Sequence, residues 1–116
     1  MYRLSYSEIL DDAPDLGRER EREAFDRAIG LLRTAEARGN HAGPARAEAV
    51  GYVQDLWNVL ISDLLDPENG LPEGLRADLV SIGIWTMREA GEVLSAPERS
   101  LSALIEVNAS IRDGLR

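Results

Sequence analysis

Read for hydrophobic and polar positions, the chain falls into four segments whose apolar residues recur three and four apart, the period of an α-helix buried on one side. In the first, Phe25, Ala28, Ile29, Leu32 and Ala35 form the stripe. It predicts a helix over about 14–38, begun by Asp11-Asp12-Ala13-Pro14 and stopped by Gly39-Asn40. The second stripe is Val50, Val53, Trp57, Leu60, Ile61 and Leu64. Its helix, over about 44–66, opens at Pro44 and closes before Pro67, because the residue ahead of a proline avoids the helical region. The third helix, over about 72–94, places Leu75, Leu79, Ile82, Gly83, Thr86, Ala90 and Val93 on one arc. The fourth, over about 98–115, carries Leu101, Leu104, Ile105, Ile111 and Leu115. Ser95-Ala96-Pro97-Glu98 ahead of it has the Ser-x-x-Glu form of a capping box. Residues 1–13 read as a polar-aromatic lead-in with room for a short turn at Ser7–Leu10. No segment alternates with period two, so the pattern predicts an all-α fold, a single small domain of four helices packed as a bundle.

The third helix departs from a simple amphipathic pattern. Val80, Ile84, Met87, Gly91 and Leu94 widen its apolar arc to about 200°, more than one neighbouring helix covers. Either it is the central element of the bundle, or part of its surface serves a partner. Gly83 and Gly91 each cost about 1 kcal/mol of helix propensity, which fits close backbone approach by another helix. The tryptophans separate: Trp57 sits mid-stripe and reads as core, whereas Trp85 falls in the polar arc between Ser81 and Glu89. Trp85 is either wedged under the N-terminal segment or the first helix, or an aromatic anchor for a partner. Asn108 is centred in the fourth stripe and, if buried, must be hydrogen-bonded.

Composition narrows the function. At 116 residues the chain is one domain, and its net charge of −8 repels phosphate backbones and anionic membranes. All 13 basic residues are arginines and there is no cysteine, hence no disulfide, thiolate nucleophile or zinc–thiolate site. His41 is the single histidine, in a loop away from other candidate ligands. The acids lie on predicted polar faces, and no phosphate-cradling loop, nucleophile elbow or calcium loop is present. No enzyme, metal or cofactor is implied. The start of the chain lacks the apolar core of a secretory signal, and no apolar run is long enough to span a bilayer, so a soluble cytoplasmic protein is expected. The run Arg18-Glu19-Arg20-Glu21-Arg22-Glu23 sets opposite charges at i,i+3 and like charges at i,i+4. These terms, about 0.2–0.5 kcal/mol each, largely cancel. The run is therefore either a solvated face or a charged contact surface.

These segments resemble the flagellar protein FlaF family over nearly the whole chain. The resemblance is carried by Ser5-Tyr6-Ser7-Glu8-Ile9-Leu10, by Arg18-Glu19-Arg20-Glu21-Arg22 with Ala28-Ile29-Gly30-Leu31-Leu32, and by Leu56-Trp57-Asn58-Val59-Leu60-Ile61-Ser62-Asp63-Leu64. Its most specific parts are Pro67-Glu68-Asn69, Leu71-Pro72-Glu73-Gly74-Leu75-Arg76-Ala77 and Ser81-Ile82-Gly83-Ile84-Trp85. The resemblance implies a small, non-enzymatic cytoplasmic protein that promotes flagellin synthesis and export, opposing the repressor FlbT, with a chaperone-like link to flagellin itself. The expected partners are flagellin and, secondarily, FlbT; action at flagellin mRNA is the alternative, which the acidic charge disfavours. The expected contact residues are Val80, Ile84, Trp85 and Met87 on the third helix, Arg18 and Arg22 in the charge run, and Asn69 and Arg76 in the turn.

Overall fold

The computed structural model describes residues 15–39 and 43–114, with side chains from Glu19 onward. They form four helices: α1 (Asp15–Arg38), α2 (Gly43–Leu65), α3 (Glu73–Ser95) and α4 (Ser102–Asp113). The lead-in with Ser7–Leu10, the Asp11–Pro14 start signal, His41 and Leu115 lie outside the described residues.

The local chemistry accounts for most of the boundaries. Gly39 ends α1 with φ +62°, the left-handed conformation that a residue without Cβ adopts freely. Ahead of Pro67, α2 closes with Asp66 N–H donating to Asp63 O at 3.2 Å. Pro72 stands at the N-cap of α3, and its carbonyl accepts the Arg76 N–H at 2.9 Å.

The expected start of the fourth helix near Glu98 is corrected to Ser102. Ser95 caps nothing ahead of it. It is the last residue of α3, and its hydroxyl donates back to Gly91 O and Glu92 O. Two donors at the start of α4 are satisfied, one by a distant helix and one locally: Leu101 N–H donates to Glu36 of α1 at 3.0 Å, and Ser102 N–H to the Ser100 hydroxyl at 3.0 Å. Ser100 Oγ itself donates to Glu36, so one carboxylate from a distant helix replaces the local capping box.

Short links make successive helices antiparallel, and helices of 23 or 24 residues are about 35 Å long, which sets the long axis of a 43 × 22 × 22 Å bundle. The central element is α2, which packs on α1 on one side and α3 on the other; α4 lies along α1 and touches α3 only lightly. The reading of the third helix as the central element is therefore corrected: α3 is an edge helix.

The core gathers Phe25, Leu32, Val50, Val53, Trp57, Val93, Leu101 and Leu104, all buried. Trp57 meets Phe25 edge-to-face, centroids 5.9 Å apart at 79°. Its indole Nε1–H donates to Asn108 Oδ1 at 2.9 Å, while Asn108 Nδ2 donates to Leu104 O at 2.7 Å. The amide thus spends both ends inside the bundle and ties α4 to α2. Among the described residues no helix is long and apolar enough to cross a membrane.

Candidate partner-binding surface

The α2–α3 turn is built by its own polar side chains. Glu68 N–H donates to the Asp66 carboxylate at 2.9 Å, and Leu71 N–H donates to Asn69 Oδ1 at 3.0 Å. Asn69 Nδ2 reaches back to Asp63 O at 3.1 Å, and Arg76 Nη1 donates to Asp66 O at 3.2 Å. Arg76 Nε is buried without an acceptor. Both expected contact residues of this segment, Asn69 and Arg76, thus make hydrogen bonds within the turn.

Downstream, α3 presents two faces. The inward one buries Leu75, Leu79, Gly83, Thr86, Ala90 and Val93. At Gly83 the helices touch closely: a Cβ there would lie 2.8 Å from Ile61 Cγ1 and 3.0 Å from Trp57 Cε3. The expectation for Gly91 fails within this chain, since a Cβ at Gly91 would meet nothing within 4 Å.

On the outward side, Val80, Ile84, Met87, Gly91 and Leu94 follow one another at intervals of four, three, four and three. Ile84 is 51% exposed and Leu94 43%, while Val80 and Met87 are half-buried at the edge of the core. These intervals are those of a helix-packing seam, and its members Ile84, Gly91 and Leu94 are left exposed by the described helices. Trp85 does not share this seam. One residue past Ile84, it is rotated by about 100°, is half-buried, and packs against the core. The structure thus brings Val80, Ile84 and Met87 together and sets Trp85 apart, at the rim of the bundle.

The charge run lies on the first turns of α1. Arg20 is exposed and Arg22 half-buried; the Arg18 side chain lies outside the described residues. Further along α1, Arg27 stacks over the Tyr52 ring at 5.5 Å and marks the face of α2 that α1 covers.

Three polar anchors escape a reading of periodicity. Glu89, expected on the polar arc, is buried and paired twice with Arg99 of the α3–α4 loop, both contacts 2.8 Å. Hydrogen bonding from Arg99 lowers its carboxyl pKa against the opposing effect of burial. Glu36 is lowered likewise, by the Ser100 hydroxyl first and the Leu101 N–H second. Arg46 of α2 donates to Val93 O (3.1 and 2.9 Å), Ala96 O (3.2 Å) and Arg99 O (2.6 Å), closing the C-terminal end of α3. The one signal for these contacts was a run of polar residues around two short loops, which identifies neither the Glu89–Arg99 pair, 10 residues apart, nor the partners of Arg46 and Glu36, 47 or more residues away.

Comparison with known families decides the identity. The profile of the family described as flagellar protein FlaF matches residues 2–115, essentially the whole chain. The chain belongs to the FlaF family. No match is found among curated proteins or among solved structures. Membership makes this a flagellum-related protein. Within the matched residues, the stretch from Pro67 to Arg76 forms the hydrogen-bonded turn, and Ser81-Ile82-Gly83-Ile84-Trp85 spans the close α2–α3 approach and the start of the outward seam.

Proposed function

We propose that this FlaF protein is a non-enzymatic, cytoplasmic, chaperone-like regulator of flagellum biogenesis that promotes flagellin synthesis and secretion by binding flagellin. The observation that carries the reading is the apolar seam on α3, left open by an edge helix in a protein of net charge −8. A strongly acidic domain stays soluble with such a surface exposed and keeps away from nucleic acid, which suits a protein partner. The described residues include no group of three or more His, Cys, Asp or Glu able to hold a metal ion. The test is co-expression with flagellin followed by size-exclusion chromatography. A stable co-eluting complex supports the proposal; flagellin eluting alone, with FlbT or flagellin leader RNA retained instead, replaces it with regulation through the repressor or at the message.

A further inference from the structure

We propose that the outer groove between α2 and α3 receives an amphipathic α-helix of another polypeptide, apolar at three-and-four spacing and carrying a carboxylate where it passes Arg88. The inference rests on the flagellin reading for the partner's identity and adds the surface, the shape of the segment and its charge.

The groove follows from three fixed points. Gly83 against Ile61 and Trp57 shows where α2 and α3 meet. Tyr52, under Arg27, marks the α1 side of α2; nine positions on, Ile61 points about 180° away from it. Glu89, paired with Arg99, marks the loop side of α3; Ile84, five positions earlier, is turned about 140° from it. The free side of the contact is therefore lined on α3 by the seam from Val80 to Leu94. On α2 it is lined by Gly51, Gln54, Asn58, Ile61 and Leu65, which repeat at intervals of three and four. Leu65 is 65% exposed.

Charge says what fits there. Charged residues make up 29% of the chain, yet neither row contains one. The α3 row is apolar throughout and the α2 row adds the uncharged amides of Gln54 and Asn58, so the groove accepts a largely apolar face and disfavours an ionised one. The α3 seam runs about 21 Å, the length of a four-turn helix, and its alternating intervals match side chains of a second helix rather than an extended strand. Gly91, with open space where its Cβ would be, provides a hole for a partner knob.

A second copy of this chain is a poor occupant. Arg76, Ser81, Gly83, Arg88, Ala90 and Ser95 flank the seam, two cations without a carboxylate, so two copies offer no opposite charge across it. Their net charges of −8 also repel. Arg88 is exposed and makes no ion pair among the described residues, which leaves it free for an acid on the incoming helix.

The experiment uses the full chain and two probes, intact flagellin and a designed helical peptide with Leu at three-and-four spacing flanked by Glu. Ile84→Glu and Leu94→Glu place charge in the groove at exposed positions, so far-ultraviolet circular dichroism and the melting temperature should stay near wild type. Val59→Glu, on a 69% exposed residue away from the groove, is the control. Each groove variant should weaken both probes about 30-fold or more. Arg88→Glu should weaken the Glu-flanked peptide and favour its Lys-flanked counterpart, and the control should change neither. If flagellin binds wild type and both groove variants alike, the groove is wrong and the flagellin reading stands. If flagellin binds nothing but the designed helix binds and loses affinity in the variants, the groove stands and the flagellin reading fails. Failure of the designed helix to bind, or a wild-type dimer in sedimentation that Ile84→Glu dissolves, overturns the proposal.

Discussion

Replacing Asn108 with Leu isolates the polar contact that joins α4 to α2. Leu keeps the branched outline of Asn but is the larger side chain, so at this fully buried site the change leaves no cavity and adds an overpacking cost. It removes the only acceptor shown for the Trp57 indole N–H, a donor on a side chain 1% exposed. An orphaned buried donor costs about 1–3 kcal/mol, set against a gain of a few tenths in helix propensity for Leu over Asn. The expected net loss is at least about 1–2.5 kcal/mol before any overpacking, a sizeable part of the 5–15 kcal/mol typical of a domain. It corresponds to a fall of roughly 5–15 °C in melting temperature. Urea unfolding followed by circular dichroism measures it. The decisive version is a double-mutant cycle with Trp57→Phe, which removes the donor and leaves Asn108 Oδ1 unpaired. The double variant should be more stable than the sum of the single losses predicts, with a coupling of about 1–2 kcal/mol. Additive losses within about 0.5 kcal/mol, or an Asn108→Leu variant as stable as wild type, would show that the amide does not hold α4 in place.

The other expectations are read from stability measurements of the same kind. Gly83→Ala and Gly91→Ala should act with opposite sign. The first forces a Cβ to 2.8 Å from Ile61 Cγ1 and should lose about 1 kcal/mol after its helix-propensity gain; the second meets nothing and should gain up to about 1 kcal/mol. Arg46→Met should lose about 2 kcal/mol by freeing one carbonyl in the last turn of α3 and two in the loop that follows. Arg46→Lys should restore little of it, because an ammonium lacks the planar fork that spans them. The carboxyls of Glu36 and Glu89 titrate lower in the folded than in the unfolded chain. Their stabilisation is therefore complete above the ordinary carboxylate pKa of about 4.3 and is lost as pH falls through their folded values. The urea midpoint should drop below about pH 4.5, and Glu89→Gln should flatten that drop; an unchanged slope would remove the role assigned to the Glu89–Arg99 pair.

Periodicity alone located the four helices because each stripe is long and regular, and the stops at Gly39 and Pro67 are backbone constraints that no tertiary contact overrides. The start of α4 was not legible. Ser95 and Glu98 have the spacing of a capping box, but the cap that forms is Glu36, and a pattern within four residues carries no information about a carboxylate on another helix. Glu89 misled for the same reason: a charged residue in a polar arc looks solvated until Arg99 folds back over it. The candidate surface was half legible. The excess apolar arc of α3 and the place of Trp85 outside it were visible from residue identities, yet only the packing order showed that α3 lies at an edge. For Asn69 and Arg76 the sequence marked the loop as specific, and the structure adds that both side chains hydrogen-bond within it.

Hydrogen–deuterium exchange of the protein with and without flagellin tests most directly whether the open seam receives the partner. Slower exchange concentrated in Val80–Leu94 of α3 and Gln54–Leu65 of α2, with α1 and α4 unchanged, is the predicted result. Protection confined to the Arg20–Arg27 stretch or to α4, with α3 exchanging at its free rate, would contradict it.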